Sequence, residues 1–291
     1  MVEISKDSGM VDAFMDSSMD LMDFTRALRA LYSDKLLKKV AGIKPANVDY
    51  KPVIMLFGPT GHGKSCFINS ISSINKGRKS NLTNTAGLDV LVTTMFRRYE
   101  MKYGKLNNVV LADVLGIVER DENAVLVQDV LKIVEGHVKP NYAFTNTNVV
   151  SERDDFYNSN PEEYEKVHFV IFVFDCRHVE NLHRTDNASI VTLMKELNAK
   201  DIPSIAILTH ADMVCTSGIQ NIFRSKAIKA KLDYLTEYLG IPFENIHPVH
   251  NFDATSAGTT NLDKLLSIPL LFALQQALYF ACNTIEKKTH K

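Results

Sequence analysis

The order of apolar and polar positions divides the chain into short continuous apolar runs alternating with stretches of helical period. "PVIMLFG", "TTMFRRYEM", "NNVVLADV", "VHFVIFVFD", "PSIAILTH" and "NIHPV" are rich in β-branched and aromatic residues and read as strands. Segments near 64–75, 124–137, 187–199, 222–238 and 261–286 carry the helical period between them. Strands apolar on both faces, separated by helices, belong to a parallel sheet covered on both sides. One pair departs from that rule. "TTMFRRYEM" and "NNVVLADV" are separated only by the turn-like "KYGKL", so they form a hairpin and place one antiparallel strand in the sheet. Ahead of the strands, Leu21, Phe24, Leu28, Leu31, Tyr32, Leu36 and Val40 recur at helical spacing, with lysines gathered late, where they suit the helix dipole. Gly42 and Pro45 end that helix. The expected organisation is a helical segment with connector over 1–47 and an α/β domain over 48–291, a three-layer sandwich with a mostly parallel sheet.

Composition narrows the partners. With 33 basic and 34 acidic residues among 291, the net charge of -1 gives no bulk attraction to nucleic acid or an anionic membrane. The four cysteines, Cys66, Cys176, Cys215 and Cys282, are far apart and form no C-x-x-C pair, which suits reduced thiols in a cytoplasmic protein. The apolar run "IPLLFALQQALYFAC" carries two glutamines and is too short to span a bilayer, so no transmembrane segment is expected.

Chemistry enters at "FGPTGHGKSC". The loop stands between an apolar strand and a helix, the context that separates a phosphate-binding loop from a chance string, so the three-layer sandwich is expected to be that of a P-loop NTPase. Gly58, Gly61 and Gly63 let the backbone turn toward phosphate oxygens, and successive N–H groups with the helix N-terminus make an anion cradle. Lys64 is expected to reach the β- and γ-phosphates as a catalytic group, and Ser65 to ligate Mg²⁺. His62 stands at a variable position and reads as loop filler within the nucleotide-contact set; Cys66 follows as a small, buried member of it.

Later strand ends narrow the nucleotide. In "VVLADVLG", Asp113 can hold the magnesium shell and Gly116 can offer its N–H to a γ-phosphate. In "ILTHADMV", Asp212 can accept two hydrogen bonds from guanine's ring N–H and exocyclic amine, a donor pair that adenine lacks. The usual pattern has Asn or Thr, then Lys; here Thr209 fits and His210 replaces the lysine, keeping a ring to lie on the purine. The expected ligands are therefore GTP or GDP with Mg²⁺. A loop closing on guanine has two placements, His250, Asn251 and Phe252, or Thr255, Ser256 and Ala257, of which Asn251 and Ala257 are the contacts proposed. The magnesium-sensing threonine is Thr93 or Thr94, with Thr94 taken into the catalytic and metal set, although both also fit as β-branched strand residues.

Beyond these motifs, "VLKIVEGHVKPNYAF", "DDFYNSNPEEYEKVHFVIFVFDC" and "IPSIAILTHAD" resemble the interferon-induced protein 44 family, including its histidine in the guanine motif. The resemblance runs from about residue 48 to 285. It implies a cytoplasmic guanine-nucleotide-binding domain associated with innate immunity and antiviral response. Turnover is a separate matter. Ile117 stands where small GTPases carry a water-orienting glutamine, and Arg97, Arg98, Glu119 and Arg120 occupy no position that compels the role. The expectation is slow hydrolysis, with a second copy or protein partner able to supply the missing group.

Overall fold

The central strands of the sheet are buried throughout because each face of the sheet has its own core. In this computed structural model, residues 21–83, 94–117, 123–145, 148–183, 188–215, 218–252 and 262–289 are described. After α1 (Leu21–Ala41) come β1 (Val53–Phe57), α2 (Lys64–Lys76), the antiparallel pair β2 (Arg97–Glu100) and β3 (Val110–Asp113), and α3 (Asn123–Val134). Then follow β4 (Phe169–Asp175), α4 (Ala188–Ala199), β5 (Ser204–Thr209), the short α5 (Ala211–Val214), α6 (Lys226–Leu239), β6 (Ile246–Pro248) and α7 (Lys264–Thr289). The sheet order is β2-β3-β1-β4-β5-β6, parallel except between β2 and β3. The expected three-layer α/β sandwich with one antiparallel strand is thus the fold observed.

Alternation along β1 assigns the layers. Val53, Met55 and Phe57 enter a core with Val130 and Ile133 of α3, Leu193 of α4 and Leu235 of α6. Ile54 and Leu56 point the other way, into a core with Phe67 and Ile71 of α2, Val40 of α1 and Leu274 of α7. All five β1 side chains are buried, which contributes on the order of 10 kcal/mol of gross apolar transfer.

The helix ahead of β1 docks on its own domain. Ser33, Leu36, Leu37 and Val40 form its buried face, and the buried Asn108 amide donates to the carbonyls of Val40 (2.8 Å) and Ile43 (2.7 Å). Lys264 of α7 bonds Asp34 at 2.6 Å. Leu31 and Tyr32, expected on that face from their spacing, are instead exposed, although Tyr32 still lies 6.3 Å from the Phe272 ring. Periodicity finds a helix but does not fix its phase when a small polar residue such as Ser33 can pack inside. At the other end, the apolar run read as too short to cross a bilayer belongs to a 26-residue helix, long and apolar enough to do so by length and composition. Here its apolar residues cover the sheet: Leu270, Leu271, Leu274, Leu278 and Ile285 are all buried.

Candidate functional site

The carboxyl ends of five parallel-aligned strands converge on one edge, and the strand order reverses at β1, the position where open α/β sheets leave a crevice for ligands. The glycine-rich loop leaves β1 there. Gly58 has no room for a side chain: a Cβ would come within 2.2 Å of the Val173 carbonyl oxygen, so this loop can cross β4 only as glycine. Gly63, at φ 93°, holds the left-handed turn that starts α2.

Lys64 opens α2 and folds back over the loop, donating to the carbonyls of Gly58 (2.9 Å) and Pro59 (3.0 Å). Its burial pushes the ammonium down to about 8, against the opposing pull of the nearby Asp113 carboxylate. Ser65 donates to Asp113 Oδ2 at 2.7 Å, and Asp113 is buried at the end of β3. Two hard oxygen groups, one from the first turn of α2 and one from the end of β3, therefore face one another. The Asp113 loop is latched to the glycine-rich loop by backbone: Thr60 N donates to Ile117 O at 2.9 Å and Ile117 N to Gly58 O at 3.2 Å. Ile117 itself is buried among the apolar residues beneath. The β2–β3 register sets Arg97 across from Asp113, while Arg98 donates to the Tyr164 and Glu165 carbonyls, away from the phosphate loop.

At the ends of β4 and β5, His210 takes a left-handed conformation (φ 54°) and lies with Nδ1 3.1 Å from Asp175 Oδ2. Burial alone would raise the Asp175 carboxyl, but hydrogen bonds from His210 and Arg177 outweigh it and hold it well below the usual carboxylate range. Arg177 grips that carboxylate through Nε (3.0 Å), Nη2 (2.6 Å) and its own backbone N–H (2.8 Å). The Asp175 N–H donates to His62 Nδ1 at 3.1 Å, and the Thr209 hydroxyl donates to the His62 carbonyl at 2.8 Å. Burial pushes the His62 imidazole down to about 4, so it is neutral and fit to accept. His62 is therefore a tie between the phosphate loop and two strand ends rather than mere filler. Asp175 and Arg177 were not singled out in the sequence.

Asp212 lies in α5, partly exposed, with His250 Nδ1 3.6 Å from its Oδ1. The Ala211 N–H donates to the Val249 carbonyl, so the stretch after β6 runs beside α5 and Asp212. Asn251 turns its side chain back to the phosphate loop, donating to the Gly63 carbonyl at 3.2 Å. Cys66 gives its carbonyl to the Ser70 hydroxyl. Thr94 is exposed at the approach to β2, its carbonyl accepting from Phe144 N at 3.0 Å; no described contact joins its side chain to Ser65 or Asp113. Thr93, Glu119, Arg120, Thr255, Ser256 and Ala257 lie outside the described residues.

With this geometry in place, a family model described as "50S ribosome-binding GTPase" matches residues 53–210, from the first residue of β1 to His210. The chain belongs to that GTPase family. Its GTP-binding domain is related to the interferon-induced proteins: interferon-induced protein 44-like of Homo sapiens is 28% identical over 277 residues, covering 92% of this chain and 60% of its own length. Interferon-induced protein 44 of Mus musculus is 28% identical over 271 residues, 90% of this chain and 62% of its own. The resemblance drawn from the motifs thus holds, and the chain spans about 60% of these relatives. Among solved structures, the GTPase resembles the small COPII coat GTPase Sar1 from Encephalitozoon cuniculi in complex with GDP (12% identity, TM-score 0.47, 95% of this chain and 99% of that one). It also resembles Toc33 from Arabidopsis thaliana in complex with Mg²⁺ and GMPPNP (14% identity, TM-score 0.45, 89% and 93%).

Proposed function

We propose that this chain is a Mg²⁺-dependent guanine-nucleotide switch that hydrolyses GTP slowly on its own and faster when a second copy or another protein completes the site. The observation that carries the reading is the Ser65–Asp113 hydrogen bond of 2.7 Å beside the buried Lys64. Among the described residues these are the oxygen donors and the cation that a magnesium-bound triphosphate requires at a strand-loop-helix junction. Ser65 and Asp113 would hold the metal, which supplies charge neutralisation at the β- and γ-phosphoryl oxygens. Lys64 holds a positive charge at the phosphates, the loop amides orient them, Asp212 reads the guanine edge, and His210, fixed by Asp175, packs at the base.

The slow half of the proposal rests on Ile117. Its side chain is buried in the apolar core on that face of the sheet, so this position presents no group to an attacking water. The relatives' printed names support a role in an interferon response, and the reduced, separated cysteines support a cytoplasmic setting. Titrating Mg·GTP and Mg·ATP into wild type and Asp212→Ala tests the base assignment. Guanine preference in wild type, with a loss of about 2–4 kcal/mol in the variant, is the expected result; equal wild-type affinities defeat it. Phosphate release measured against protein concentration tests turnover. A rate that never rises above solution background leaves a nucleotide-dependent scaffold as the function.

A further inference from the structure

Thr60 presents an unexplained group. Its hydroxyl oxygen is buried yet has no hydrogen-bond partner among the described residues. A buried hydroxyl in a native fold is normally satisfied, and an exception at a ligand site points to the ligand. Nor does the side chain serve to hold the loop. The latch to Ile117 is made by the Thr60 backbone N–H, and it survives whatever the side chain does.

The surroundings specify what the hydroxyl faces. A point one bond length from the Gly116 Cα, where a Cβ would stand, is 2.6 Å from Thr60 Oγ1 and 2.7 Å from Lys64 Nζ. That point is too close to Gly116 to hold another atom, but the hydroxyl and the ammonium beside it stand no more than about 5.3 Å apart and border one volume. Two of the three Lys64 N–H groups are spent on the Gly58 and Pro59 carbonyls, leaving one for that volume. A hydroxyl able to donate and a donor ammonium bordering one volume suit an oxygen that carries negative charge.

We propose that Thr60 tells a nucleoside triphosphate from a diphosphate, its hydroxyl donating a hydrogen bond to a γ-phosphoryl oxygen also approached by Lys64. The inference rests on the nucleotide reading above and deepens it. GDP has no γ-phosphoryl group and leaves the hydroxyl without its acceptor. GTP satisfies it. The discrimination therefore comes from the phosphate loop itself and does not require the position held by Ile117.

The test compares a fluorescent, non-hydrolysable GTP analogue with fluorescent GDP, each titrated with Mg²⁺ into the full chain. The readout is the ratio of the two affinities in wild type, Thr60→Val and Thr60→Ser. Valine keeps the shape and removes the hydroxyl; serine keeps the hydroxyl. The ratio is expected to fall about tenfold or more in Thr60→Val, the worth of one hydrogen bond to a charged acceptor, and to stay near wild type in Thr60→Ser. If Thr60→Val does not fold, as judged by its thermal melt, Thr60→Ala carries the same comparison. An unchanged ratio in Thr60→Val, or an equal fall in Thr60→Ser, overturns the inference alone. Wild type that binds neither nucleotide overturns the nucleotide reading and this inference with it.

Discussion

The Thr60 N–H donates to the Ile117 carbonyl at 2.9 Å, joining the phosphate loop to the loop after β3 by main chain while the isoleucine side chain faces inward. Restoring the side chain used by small GTPases therefore restores nothing. Ile117→Gln buries an amide in an apolar layer and is expected to cost about 1–3 kcal/mol of stability. Chemical denaturation should show that loss, and single-turnover phosphate release should not exceed the wild-type rate. A faster variant would mean that the side chain can reach the nucleotide after all.

Lys64 is expected to couple nucleotide binding to protons. Its pKa is lowered to about 8 from 10.5, so between those values the unfolded chain holds more protons than the folded one. Folding stability thus rises with pH across that window, and the burial penalty is present in full below it. Bound phosphates reverse the shift by restoring the charge. Calorimetric titration of GDP in buffers of different ionisation heats should give little proton uptake at pH 7 and on the order of one proton by pH 9. Equal uptake at both values would refute the depressed lysine.

Asp175 should act on both nucleotides alike. Asp175→Asn keeps the shape but removes the charge that holds Arg177 and His210, two groups gathered at the base side of the site. Affinity for GTP and for GDP is expected to fall together, by about 1–3 kcal/mol, in fluorescence titrations. A selective loss of the triphosphate would move this carboxylate's role to the γ-phosphate.

The anchoring of α1 can be weighed separately from nucleotide binding. Asn108→Ala strands the Val40 and Ile43 carbonyls and should cost about 2 kcal/mol, visible as a fall of several degrees in Tm. GDP affinity should not change. An unaltered melt would show that the helix is not held by this amide.

Most strands could be read closely from the sequence, because a strand buried on both faces becomes an unbroken apolar run with turn residues at its ends. "VHFVIFVFD" and β4 differ by two residues. The phosphate loop was readable for a similar reason: Gly58 to Ser65 are contiguous, and their order carries the chemistry. Asp175 was not. A carboxylate at a strand end has no diagnostic spacing, and its backbone partner His62 lies 113 residues away. The phase of α1 escaped as well, since Leu31 and Tyr32 have the spacing of a buried face but the neighbours of an exposed one.

The distribution of thiols has a practical consequence. Cys176, Cys215 and Cys282 are buried, and burial pushes the Cys176 thiol up to about 12 and the Cys282 thiol up to about 11, so alkylating reagents should react with them slowly. Cys66 is only partly covered and directly follows Ser65. Its labelling kinetics, with and without nucleotide, would make the native chain its own occupancy sensor, with no reporter group engineered into the fold.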